Sequence, residues 1–204
     1  MGLLNKVTAK PWKHAGEMEG IHGDVVINRS SGRIGLLVFL AVMSSMFLLF
    51  MISYYTRSLF PDWEVLAEPG ILWINTSMLV LASIAMQLAS NAAKRDAIKA
   101  MRNYLLAGAL LTLIFIAGQL MAWDQLIENG FYAQGNPSIA FFYLFTGLHA
   151  MHLVGGMWFL SRLGFNLRRE NKREKARQGV MLCATYWHYL LLVWLLLFAL
   201  LLRT

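Results

Sequence analysis

Apolar positions fill five long runs of this chain, and the charged positions fall between them. Residues 34–56, 70–93, 103–123, 138–161 and 178–202 contain no Asp, Glu, Lys or Arg. Each run is long enough to cross about 30 Å of hydrocarbon at about 1.5 Å per residue. Backbone amides in lipid must be satisfied within the spanning segment, so runs of this length predict helices and not barrel strands. The pattern therefore predicts an all-α membrane protein, a bundle of five transmembrane helices. Residues 1–33 form an N-terminal segment and 34–204 one membrane domain, with short loops and no internal repeat.

Charge adds orientation. The N-terminal segment holds Lys6, Lys10, Lys13, Arg29 and Arg33, the second loop Lys94, Arg95, Lys99 and Arg102, and the fourth loop seven more between Arg162 and Arg177. The first loop has only Arg57, the third none and the tail Arg203. Sixteen basic residues thus fall on one side and two on the other. The positive-inside rule places the sixteen in the cytoplasm, with the N-terminus inside and the C-terminus outside. Asp62, Glu64, Glu68, Asp124 and Glu128 then lie outside, and Tyr54, Trp63, Trp73, Tyr104 and Trp123 mark the interfaces. The first 33 residues lack a short apolar core followed by a cleavage site, so they read as a solvated cytoplasmic tail and not a cleaved signal peptide.

Composition agrees with lipid as the solvent. Among 204 residues, 58% are hydrophobic and 14% charged, against roughly 45–50% and 25% in soluble domains. A net charge of +7 would suit nucleic acid, but its clustering at the ends of apolar runs makes the basicity topogenic instead. One cysteine, Cys183, excludes an internal disulfide or a cysteine-cluster metal site.

The absence of ionisable Asp, Glu, Lys and Arg from the spans argues against an ion-coupled transporter, a proton relay or a voltage sensor. No phosphate loop, nucleophile elbow or metalloprotease pattern supports a hydrolase or a nucleotide-driven pump. Three histidines are the exceptions at depth. His149 and His152 fall within about 3 Å of the middle of the fourth span, and His188 lies about 3 Å from the middle of the fifth. A haem needs ligands on opposite faces, so His188 would have to oppose one of the other two. A zinc or copper site from three histidines would lack an acid behind it. The favoured reading is a polar layer between the third, fourth and fifth helices, in which the histidines join Gln119 and Trp187 by hydrogen bonds. Gly155 and Gly156 are expected to thin the fourth helix for a lipid chain or a neighbouring helix, with Trp187 and His188 on the opposing wall. Asn75, Thr76, Gln87, Ser90 and Asn91 read as interhelical hydrogen-bonders.

The string FFYLFTGLHAMHLVGG at residues 141–156 resembles the T-G-x-H-x-x-H-x-x-G-G segment of haem-copper oxidase subunit III, through Phe142, Thr146, Gly147, His149, His152, Gly155 and Gly156. YWHYLLLVW at 186–194 is similar to a second segment of that family through Trp187, His188, Val193 and Trp194. QLMAWDQL at 119–126, followed by Asn129 and Gly130, resembles a third. The likeness covers roughly 32–202 and fits the short five-helix bacterial form. Two positions depart from it: Met43 and Leu191 stand where the family commonly has acids.

That resemblance implies a non-catalytic accessory subunit of a cytochrome c or quinol oxidase in the bacterial cytoplasmic (inner) membrane. It would pack on the catalytic subunit I and other oxidase subunits and hold bound phospholipid. It would carry no cofactor of its own, the haem and copper residing in partner subunits, and it would bind no nucleic acid. The competing readings are a subunit-III-like protein of a nitric oxide reductase, a small b-type cytochrome and a solute carrier. The last expects broken helices, yet no span contains proline.

Overall fold

A computed structural model describes residues 23–61, 63, 70–132, 136–167 and 173–203. Lys6, Lys10, Lys13, Asp62, Glu64, Glu68, Arg168, Arg169 and Lys172 lie outside the described residues. The elements are α1 (Gly23–Arg57), α2 (Ile71–Lys94), α3 (Ile98–Glu128), α4 (Pro137–Leu167) and α5 (Arg173–Leu201). Each holds a window long and apolar enough to cross a membrane. The five predicted spans are therefore five helices, but the helices overrun the charge-free runs. α1 begins at Gly23, ahead of the apolar run, and α3 takes in Lys99 and Arg102 at one end and Asp124 and Glu128 at the other. Helical hydrogen bonding does not stop where hydrocarbon stops, and basic side chains at helix ends reach the interface on their apolar stems.

Local chemistry sets the ends. Asp96 adopts a left-handed backbone (φ 59°) between α2 and α3, a conformation that Asp tolerates better than most side chains. The turn is so short that α2 and α3 must be antiparallel neighbours. Arg177 of α5 closes the same corner: its Nε donates to the Ala93 carbonyl at 2.9 Å and its Nη1 lies 2.8 Å from Asp96 Oδ1. This puts a cation on the orphan carbonyls at the end of α2. At the start of α4, Asn136 Oδ1 accepts from the Ser138 N–H at 2.9 Å. Pro137 between them fits the first helical position, where no amide is required.

The described residues divide between Phe39 and Leu40 into two units. In the first, α1 exposes Ile34, Leu37, Val38 and Phe39. In the second, α2 packs on α3 and α5, α4 packs on α5, and α3 packs more lightly on α4. These four contacts close a ring of helices in the order α2, α3, α4, α5. The C-terminal part of α1 meets the ring through side chains: Tyr54 against Phe141 and Phe145, Phe47 against His152, and Ser44 hydrogen-bonded to Tyr189 at 2.8 Å.

Candidate functional site

Three tryptophans tie the ring together. Trp123 Nε1 donates to Thr146 Oγ1 across α3 and α4 at 3.0 Å, Trp187 to Thr112 across α5 and α3 at 3.0 Å, and Trp194 to Thr76 across α5 and α2 at 2.9 Å. Each threonine in turn donates to the carbonyl four residues back in its own helix, at 2.7–2.8 Å. The device satisfies an indole N–H in a medium with no water to offer, and uses the threonine hydroxyl as both acceptor and donor. Sequence reasoning singled out Trp187 and Thr76 as hydrogen-bonders, named Trp123, Thr146 and Trp194 for other reasons, and missed Thr112. The available signal was a threonine inside each of three apolar runs, because a hydroxyl there needs a partner.

The five residues expected to form one polar layer, His149, His152, His188, Gln119 and Trp187, divide among different surroundings. His149 is fully buried, its ring 5.9 Å from Phe115 and 5.1 Å from Trp194. His152 turns toward α1: its ring is 5.7 Å from Phe47, and its Nδ1 meets the Leu148 carbonyl at 2.7 Å. His188 faces α2, with Nδ1 2.5 Å from Ser83 Oγ and Nε2 2.9 Å from Gln87 Oε1. Gln87 continues to Asn91 at 3.3 Å, so this face carries a line of polar groups on α2 and α5. Ser83 donating to Nδ1 and Nε2–H donating to Gln87 satisfies every partner in that line. The single layer between α3, α4 and α5 is thus corrected, because His188 points out of it, to α2. Among the described residues, no three His, Cys, Asp or Glu side chains converge on a point.

Gln119 stays in the interior. It lies between Phe115 and Trp123 on one stripe of α3, and those rings touch His149 and Thr146 of α4. Gln119 is buried, and so is Asn75, whose Oδ1 abuts Gly118. The Gln119 side-chain N and O, both His149 ring nitrogens and Asn75 Nδ2 have no hydrogen-bond partner among the described residues. Such groups are costly in hydrocarbon and mark the most polar part of the interior. Thr76 and Gln87 do bridge helices, as expected of them.

The two glycines behave oppositely. A Cβ on Gly156 would stand 2.7 Å from the Tyr186 ring and 3.1 Å from Trp187, whereas one on Gly155 would meet nothing within 4 Å. Gly156 therefore lets α5 approach, and the space beside it is already filled by two aromatic rings. The Tyr186 hydroxyl reaches over to donate to the His152 carbonyl at 2.9 Å. Met43 is buried, and Leu191 lies beside His188, Ser83 and Gln87 in a shallow groove. Both departures from the family pattern thus place apolar side chains next to polar neighbours or in the core.

Comparison with known proteins places these motifs. The family model described as cytochrome c oxidase subunit III matches residues 4–202. Cytochrome c oxidase subunit 3 of Thermostichus vulcanus is 29% identical over 173 residues, covering 82% of this chain and 85% of that protein. The subunit 3 of a Synechocystis strain is 27% identical over 191 residues, 91% of this chain and 79% of the relative. That of Corynebacterium diphtheriae is 28% identical over 123 residues, 60% of each chain.

Proposed function

Because the chain belongs to the cytochrome c oxidase subunit III family, we propose that it is the non-redox accessory subunit of a respiratory haem-copper terminal oxidase. Five apolar helices and these relatives make it a multi-pass membrane protein of a multi-subunit oxidase complex. In our reading it packs against the catalytic subunit I in a bacterial cytoplasmic membrane. It holds structural phospholipid and supports sustained oxygen reduction, while haem and copper reside in the partner subunits. The N-terminus lies in the cytoplasm and the C-terminus outside, on the charge partition between the loops.

The observation that carries the non-redox assignment is the divergence of the three histidines. Ligation of a haem by two imidazoles requires rings facing one another across the macrocycle. Here His149 faces Phe115 and Trp194, His152 faces Phe47, and His188 faces Ser83 and Gln87. A small b-type cytochrome is not favoured on this geometry. A nitric oxide reductase subunit is not favoured either, since the relatives compared are oxidase subunits.

Purification of the tagged chain in mild detergent tests the proposal. The expected companions are a large haem-bearing subunit and other oxidase subunits, and the chain separated from them shows no Soret band. A stoichiometric Soret band in the separated chain would overturn it. Orientation is tested by cysteine labelling of intact cells. Gly130→Cys, on the α3–α4 loop, is expected to react with an impermeant maleimide and Gln178→Cys to be protected; the reverse would invert the topology.

A further inference from the structure

The unpartnered polar atoms of the interior belong to one level of the ring, although the sequence scatters them over three helices. α3 and α4 run antiparallel there, with Trp123 bonded to Thr146 at 3.0 Å and the Phe115 ring 5.9 Å from His149. Gln119 stands one helical turn from each of those α3 residues on the same stripe, which sets it level with the turn from Thr146 to His149. Asn75 of α2 abuts Gly118, the residue before Gln119. Its neighbour Thr76 accepts from Trp194 of α5 at 2.9 Å, and the Trp194 ring lies 5.1 Å from His149. All four helices therefore meet at this level, and Asn75, Gln119 and His149 are each at most 2% exposed.

The walls cannot satisfy these side chains. Phe115 has no polar side-chain atom, the Trp194 N–H is given to Thr76, and the Thr76 hydroxyl donates to the Leu72 carbonyl at 2.8 Å. Unpaired polar atoms are costly in such surroundings. The set offers hydrogen bonds of both kinds. The Asn75 and Gln119 amides donate, Gln119 Oε1 accepts, and an imidazole holding one proton does each once. An anion would meet the acceptors and a cation the donors, and the three runs involved hold no charged side chain to neutralise either. An apolar guest would leave every one of these atoms unpaired. Water both donates and accepts, and a buried water typically makes about three hydrogen bonds to groups otherwise unsatisfied. We propose that the ring binds water at this level, one molecule bridging Gln119 to His149 and a second reaching Asn75 Nδ2. Gln119, with its freely rotating stem, is the side chain that swings to admit it. The water then links α2, α3 and α4 from inside, as the tryptophan–threonine bonds link neighbouring pairs. This site needs no partner subunit, so it stands apart from the oxidase reading.

The test is a density map of the intact membrane complex at a resolution that shows ordered water. Density is expected within hydrogen-bond reach, about 2.7–3.2 Å, of both Gln119 and His149. A Gln119 amide bonded directly to His149, with no density among Gln119, His149 and Asn75, overturns the proposal. Infrared spectroscopy of the same complex gives a second readout. Wild type is expected to show a buried O–H band that shifts when the solvent is exchanged for heavy-oxygen water. His149→Phe and Gln119→Met are expected to lose that band, and Gln87→Met, on the exposed side of α2, to keep it. The same band in wild type and both interior variants overturns the proposal. So does its loss in Gln87→Met, which would put the water on the His188 line instead. Should neither interior variant assemble, the wild-type map decides alone.

Discussion

Two stretches of α4, eight residues apart at their glycines, show what packing can and cannot do in a membrane protein. Around Gly156 the helix is pressed against α5, with the rings of Tyr186 and Trp187 filling the space a side chain would take. Around Gly164 the same residue type opens onto a groove. Gly156 lies inside the charge-free run and Gly164 just past its end, between Arg162 and Asn166, yet hydropathy does not say which of the two is packed against a neighbour. The difference is the partner across the seam: aromatic rings at one level, Ala109 and leucines at the other. Helix association in lipid depends on such close packing and on hydrogen bonds, because the tails are as apolar as the side chains. The tight stretch joins α4 to α5, and the open one leaves a groove beside α3.

The largest effect is expected at the tight stretch. Gly156→Leu drives a side chain into Tyr186 and Trp187, and is expected to destabilise the chain by about 1–3 kcal/mol as an overpacked core does. Thermal unfolding in detergent checks this, and wild-type stability of Gly156→Leu would erase the contrast between the two stretches. Gly118→Ala comes next, because its Cβ would run into Asn75 Oδ1. A loss of about 1–2 kcal/mol is expected, and Asn75→Ala in the same chain should restore part of it by removing the clashing group. Additive losses in that double variant would show that the two residues do not meet. Trp187→Phe removes one indole–threonine bond while keeping an aromatic ring, with an expected cost of about 0.5–1.5 kcal/mol. Gly155→Leu and Gly164→Leu, which meet open space, are expected to stay within about 0.5 kcal/mol of wild type. A large loss at Gly164 would mean that the groove is already a packed contact in the complex.

The helices were legible in the chain and their rotations were not. Charge-free length alone locates five spans, since lipid permits little else. The ends shifted because α3 continues through Arg102 and α5 begins at Arg173, charged positions that interfacial water tolerates. His188 was misplaced for a deeper reason: both faces of α5 are apolar, so no amphipathic stripe tells which side meets α2 and which meets α4. Gly155 and Gly156 were grouped although adjacent residues point about 100° apart on a helix, so one neighbour cannot cover both. Trp187 is buried in the interior, with its donor on Thr112 and not on a histidine or Gln119. An indole carries a large apolar payload and one donor, and Thr112 was the kind of partner that donor requires.

In the proposed role this chain acts through contacts and lipid and not through a redox centre. The most direct measurement follows oxygen consumption by the purified oxidase, with and without this subunit, from the first turnovers to inactivation, alongside the haem spectrum. Without the subunit, an initial rate and spectrum near those of the intact complex are expected, with fewer phospholipids retained and faster loss of activity during turnover. An immediate collapse of the initial rate while the partner subunits keep all their haem and copper would contradict it, because the chain would then take part in the chemistry.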